Sequence, residues 1–145
     1  MEDAFDCDLL DPVAGEVLEV RLRGRFDLVE EGDVVVDLKT AARTLEQGGL
    51  ERHLQLSVYA LAYLLLHGTI PTLRLDMLLK TKQPKFERLT TTRSLEELSW
   101  TAHLLVSVAD SIDAGHFFPN PSWRCSECEY FGHCASWRGN TFLSV

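Results

Sequence analysis

The run Val34-Val35-Val36-Asp37-Leu38-Lys39 limits what this chain can fold into more than any other stretch. Three consecutive β-branched residues favour a strand, whereas charged side chains are depleted in strands and costly to bury. Just upstream, Arg25-Phe26-Asp27-Leu28-Val29 reads as a second strand and Glu31-Gly32-Asp33 as a tight turn. Together they predict an antiparallel hairpin that brings Asp27 near Asp37. Lys39, two residues beyond Asp37, shares its face because strand side chains alternate with period two. Two carboxylates and an ammonium at one point suit a divalent cation beside a reacting bond. Such a cation takes a few carboxylate oxygens and several waters, polarises a phosphoryl oxygen and acidifies a bound water. Asp27 and Asp37 are therefore candidate metal ligands. The Lys39 ammonium would orient or help deprotonate an attacking water and offset charge on the phosphate. An exposed strand position explains any one of these residues taken singly, but the joint arrangement is poorly explained that way.

The other elements follow from periodicity. Glu16 to Arg23 alternates apolar and charged residues, as a half-exposed strand does. Leu50, Leu54, Val58, Leu61 and Leu65 lie at helical spacing, which predicts a helix over 50–67 that stops at Gly68. Gln55 and Tyr59, four residues apart on its one face, are positioned to reach the acidic site. Thr72 to Lys80 and Lys85 to Thr92 read as a hairpin across Gln83-Pro84. Ser94 with Glu97 forms a capping-box pattern for a helix to about Asp113. Strands followed by helix, hairpin and helix predict an α/β or α+β domain with a mixed sheet and an irregular tail.

At 145 residues and 46% hydrophobic content, the chain suits one domain, 1–145, with a core over 16–115 and a cysteine-rich tail over 119–138. A formal charge of -8 argues against nonspecific coating of nucleic acid, which relies on Lys and Arg, but leaves room for an enzyme with a local basic patch. Lys80, Lys82, Lys85 and Arg88 form the obvious basic cluster, read as a solvated hairpin tip. No stretch approaches the roughly 18 to 20 apolar residues of a membrane helix. The opening residues Glu2, Asp3, Asp6 and Asp8 are acidic where a secretory signal is basic, which predicts a soluble, cytoplasmic protein. His53, His67 and His103 show no ligand spacing and read as structural or solvated.

Three of the four cysteines, Cys125, Cys128 and Cys134, crowd into the tail. Their spacing suits tetrahedral zinc or one side of an iron-sulfur cluster, and either normally needs a fourth ligand. Cys7, His133, His116 or a residue outside this chain are the candidates; Cys7 by itself reads as an unliganded thiol.

The string Gly24-Arg25-Phe26-Asp27, the strand Val34 to Thr40 and the segment Gln55-Leu56-Ser57-Val58-Tyr59 resemble the active-site motifs of the PD-(D/E)XK nuclease superfamily, in its RecB-like exonuclease branch. The resemblance covers Glu16 to Cys134. It implies a restriction-endonuclease-like mixed sheet flanked by helices and a DNA nuclease dependent on Mg²⁺ or Mn²⁺. Asp27, Asp37 and the Leu38 carbonyl would bind metal, Lys39 would be catalytic, and Gln55 and Tyr59 would support the site and the DNA strand. The tail resembles that of relatives that process DNA ends, CRISPR-associated ones included, in which three C-terminal cysteines and a distant N-terminal one hold a [4Fe-4S] cluster. The N-terminal helical segment of those relatives, with its metal-binding His, is not matched ahead of Asp27.

The expected function is thus hydrolysis of phosphodiester bonds at DNA ends or in single strands, in repair or recombination, with a helicase or other repair subunit as partner. A non-catalytic DNA-binding or scaffolding module of a helicase-nuclease assembly is the alternative. A small zinc-binding interaction domain would leave the Asp-Leu-Lys strand unexplained.

Overall fold

The computed structural model describes residues 3–116 and 118–137, so residue 138 of the predicted tail lies outside them. The chain divides into two compact units, one up to residue 105 and one from residue 106. Among the described residues no helix is long and apolar enough to cross a membrane.

The first unit opens with a strand that the sequence reading missed. β1 (Ala4–Leu10) pairs antiparallel with β2 (Val17–Arg25) in a sheet of two strands. Phe5 and Leu9 are buried, while Asp6 and Asp8 meet Arg21 and Arg23 across the hairpin. The acidic opening is therefore a half-buried strand whose polar face is neutralised by cross-strand ion pairs.

β3 (Leu28–Glu30), β4 (Val34–Ala41), β5 (Thr72–Leu79) and β6 (Lys85–Thr91) form a mixed sheet in that order, with β4 and β5 parallel. β3 and β4 make the predicted hairpin, with Leu28 opposite Val36 and Glu30 opposite Val34. The predicted strand over 25–29 is not continuous. β2 runs on to Arg25, Phe26 and Asp27 leave the strands, and β3 begins at Leu28. Phe26 explains the break: it is buried, its N–H donates to the Asp3 carbonyl at 2.9 Å, and its ring meets those of Phe5 at 4.7 Å and Tyr59 at 5.4 Å. The turn carries two left-handed residues, Gly32 (φ +81°) and Asp33 (φ +59°), of the types that tolerate that region. Asp33 is held twice, accepting from the Tyr63 hydroxyl at 2.7 Å and, through its carbonyl, from the Thr72 N–H at 2.9 Å where β5 starts.

The helix predicted over 50–67 is two helices, α1 (Gln47–Glu51) and α2 (Leu54–His67), parted at Arg52 and His53. α2 ends at Gly68 as expected, with φ +73° and its N–H on the Leu64 carbonyl at 2.8 Å. Leu56, Ala60 and Leu61 of α2 are fully buried, as are Val35 and Leu73 of the sheet. Each such leucine contributes roughly 2 kcal/mol. α3 (Leu95–Asp113) begins with the anticipated box: Glu97 N–H donates to Ser94 Oγ at 3.2 Å, and Ser94 N–H to Glu97 Oε2 at 2.7 Å.

In the second unit a 3-10 turn, Trp123–Glu127, precedes α4 (Phe131–Ser136), where irregular chain was expected. Helices with a mixed sheet bear out the α+β class, and the hairpin and α2 place the residues of interest.

Candidate active site

Asp27 sits one residue before β3, and the register of that strand with β4 sets it beside Asp37. The Leu38 N–H donates to Asp27 Oδ2 at 3.1 Å, which fixes the carboxylate against the strand. Asp37 and Lys39 share the face of β4 that meets α2, and Lys39 Nζ donates to Asp37 Oδ1 at 2.9 Å. The same ammonium donates to Gln55 Oε1 at 2.9 Å. An ammonium has only donors, so Gln55 must present its oxygen there and turn its amide nitrogen away. That nitrogen donates to the Tyr59 hydroxyl at 3.0 Å, and the hydroxyl donates to Asp27 Oδ1 at 3.2 Å. The five side chains singled out in the sequence thus form one chain of hydrogen bonds, from Asp37 through Lys39, Gln55 and Tyr59 to Asp27.

The two carboxylates lie in opposed environments. Asp37 is 0% exposed. Burial, with the neighbouring Asp27 carboxylate adding to it and Lys39 only partly offsetting it, pushes the Asp37 carboxyl up to about 6. Burial also acts to raise Asp27, but the Leu38 N–H, the Asp37 carboxyl, the Tyr59 hydroxyl and the Lys39 charge outweigh it and hold this carboxyl below its ordinary value. Asp37 Oδ2 is buried without a hydrogen-bond partner. A buried carboxylate oxygen left unpaired is costly unless a cation takes it.

The donor set fits Mg²⁺ or Mn²⁺, which bind through one or two carboxylates and keep several waters. Among the described residues no three His, Cys, Asp or Glu side chains gather as a metal site.

Two further residues lie beside this site: His53, which the sequence marks only as structural or solvated, and Arg93, on which it gives no signal. His53, directly ahead of α2, is half-buried with an unpaired Nδ1. Burial, Lys39 and Arg93 together hold its pKa below the ordinary value. Arg93 is 3% exposed and bonded to both ends of the α1–α2 junction. Neither carries a motif. His67 stacks on Tyr63 at 4.3 Å, and His103 meets Asp11 at 2.8 Å. The basic cluster does not act as one patch: Arg88 pairs with Asp76 at 3.4 Å and covers Phe86, on the opposite face of β6 from Lys85.

In the second unit Cys125, Cys128 and Cys134 are free thiols lining a cavity of about 440 Å³ with Pro119, Pro121 and Phe131. Cys125 Sγ accepts from the Ser122 N–H at 3.2 Å. Cys7 is a free, half-buried thiol on β1 opposite Leu22, its pKa raised by burial.

The family model of the PD-(D/E)XK nuclease superfamily matches residues 2–135, and the chain belongs to that superfamily. Among solved structures it is similar to a candidate exonuclease from Eubacterium rectale, with a TM-score of 0.57 and 16% identity over 94% of this chain and 51% of that one. The likeness is one of fold, and this chain spans about half the length of that relative. No curated protein matches.

Proposed function

We propose that this protein is a divalent-metal-dependent deoxyribonuclease of exonuclease type, RecB-like, acting on DNA ends or single strands in repair or recombination. The observation that carries the reading is the buried, unpaired Asp37 Oδ2 at the head of a hydrogen-bonded chain that ends on Asp27. Asp27 and Asp37 hold the metal, with the Leu38 main-chain oxygen as a third ligand. Bound Mg²⁺ or Mn²⁺ supplies Lewis-acid polarisation of the phosphoryl group and a more acidic water. Lys39 orients the attacking water and offsets the negative charge that grows on the phosphate oxygens. Gln55 fixes the Lys39 ammonium, and Tyr59 fixes Asp27, so neither group must reorganise as charge develops. Cys125, Cys128 and Cys134 are the tail's ligands for a [4Fe-4S] cluster or zinc, and no step of the reaction passes through them. A helicase or other repair subunit is the fitting partner, in a cytoplasmic setting.

Cleavage of end-labelled DNA with Mg²⁺ or Mn²⁺ tests this. Lys39→Ala and Asp37→Ala each lower the rate on the order of 100-fold or more while leaving the circular dichroism spectrum intact. Equal activity in wild type and both variants would trace the cleavage to a contaminant. DNA binding without cleavage would instead support the scaffolding role.

A further inference from the structure

Arg93 is a buried cation whose hydrogen-bond acceptors are all neutral, with the Glu97 and Glu51 carboxylates acting on it only through space. Its Nε donates to Ser57 Oγ at 2.8 Å, Nη1 to Thr91 Oγ1 at 3.2 Å and the Thr92 carbonyl at 2.8 Å, and Nη2 to the carbonyls of Leu50 at 3.0 Å and His53 at 3.5 Å. A guanidinium has five N–H groups, and these five acceptors use them all. Arg93 also lines a groove of about 510 Å³ with Leu54, Trp100 and Leu104, but it has no donor left for a ligand there. Its role lies in what it holds.

Leu50 lies in the last turn of α1, and His53 and Ser57 bracket Gln55 in the first turn of α2. The break between the helices turns the Leu50 and His53 carbonyls toward one point. The His53 carbonyl also accepts from the Ser57 N–H at 3.2 Å and Ser57 Oγ at 3.4 Å, so Arg93, Ser57 and His53 form a closed clasp around that turn. α2 has no side-chain N-cap, and this clasp, anchored by the end of β6, stands where a cap would otherwise fix its start. Gln55 reaches Lys39 from that turn.

We infer that Arg93 is a positioning residue for Gln55: its five hydrogen bonds fix the start of α2 and, through Gln55, the direction of the Lys39 ammonium. The inference rests on the nuclease reading for its kinetic consequence and on geometry alone for its structural one.

The test uses the full chain with Arg93→Lys, which keeps the charge but not the fork, and Ser57→Ala as a milder variant should the first not fold. Arg93→Lys lowers kcat for Mn²⁺-dependent DNA cleavage by about 10- to 100-fold, the scale of a small misplacement at a reacting centre. KM stays within roughly twofold, because uniform substrate binding is untouched. Made on top of Gln55→Ala, the same change costs less than about threefold, since Arg93 acts through the missing side chain. Trp100→Ala, in the same groove, leaves kcat unchanged. The Gln55 side-chain amide gives a readout free of activity. With Gln47 and Gln83 it is one of three glutamines, so ¹⁵N-glutamine labelling and Gln55→Ala assign its resonance. That resonance shifts in Arg93→Lys and Ser57→Ala.

An unshifted resonance with wild-type kcat overturns the inference, as does a loss that is fully additive with Gln55→Ala. Should the wild type fail to cleave DNA, the nuclease reading falls. The Gln55 resonance then decides the role of Arg93 alone: displacement sustains it and constancy refutes it.

Discussion

Replacing Asp37 by Asn should make the metal-free protein more stable at alkaline pH while ending its proposed activity. The Asp37 carboxyl is fully buried and its pKa is pushed from 3.8 to about 6. The fold therefore favours the protonated form. That contribution is complete below about pH 4, where folded and unfolded chains are both protonated, and it is lost as pH rises through about 6. A shift of this size amounts to on the order of 3 kcal/mol of stability lost between the two ends of that window. Asn keeps an oxygen for Lys39 Nζ and carries no charge, so Asp37→Asn escapes the loss. In EDTA at pH 8 the variant should gain up to about 3 kcal/mol over wild type, or roughly 6 to 12 °C in Tm for a chain of this size. Near pH 4 the two should be nearly equal. Asp27, whose pKa is depressed, contributes stability that disappears only as pH falls below the ordinary carboxylate range, outside this window. Urea denaturation followed by circular dichroism at both pH values decides the matter. An Asp37→Asn variant no more stable than wild type at pH 8, or equally stabilised at both pH values, would refute the claim that this site sacrifices stability to hold an ionised carboxylate.

Other perturbations test the surrounding framework. Tyr59→Phe removes the hydroxyl that links Gln55 to Asp27, and should slow cleavage by about tenfold, the worth of one hydrogen bond to a charged group, with the fold unchanged by circular dichroism. Arg74→Met strips Glu30 of a two-bond fork and leaves buried Asp76 with only the longer Arg88 contact, so thermal melts should show a loss of about 3 kcal/mol or more. Adding Asp76→Leu to it should recover much of that loss. Gly24→Ala sets a methyl 2.3 Å from Cζ of the buried Phe5 ring and should cost about 1 to 3 kcal/mol in urea denaturation.

The parts legible in the sequence were those specified locally. Val34 to Lys39 with its Gly32 turn gave the hairpin, Gly68 ended α2, and Ser94 with Glu97 began α3, because each signal lies within a few residues of the structure it dictates. The meeting of Asp27, Asp37, Lys39, Gln55 and Tyr59 was legible through strand register and helix spacing. What escaped depends on distant partners. β1 alternates Phe5, Cys7 and Leu9 with Asp6 and Asp8, yet the acids make sense on a strand only once Arg21 and Arg23 lie opposite. The split between α1 and α2 is held by Arg93, forty residues or more along the chain from Leu50 and His53. No local pattern announces it. Phe26 likewise reads as a strand residue until Phe5 and Tyr59 close around its ring and draw it inward.

Anomalous scattering from crystals grown with Mn²⁺ would show whether Asp27 and Asp37 jointly hold a divalent cation. A single strong peak is expected between the two carboxylates, within bonding distance of Asp37 Oδ2, and it should vanish in Asp37→Asn crystals. A site between them without a peak at saturating Mn²⁺, or a peak that persists when Asp37 is replaced, would contradict that joint binding.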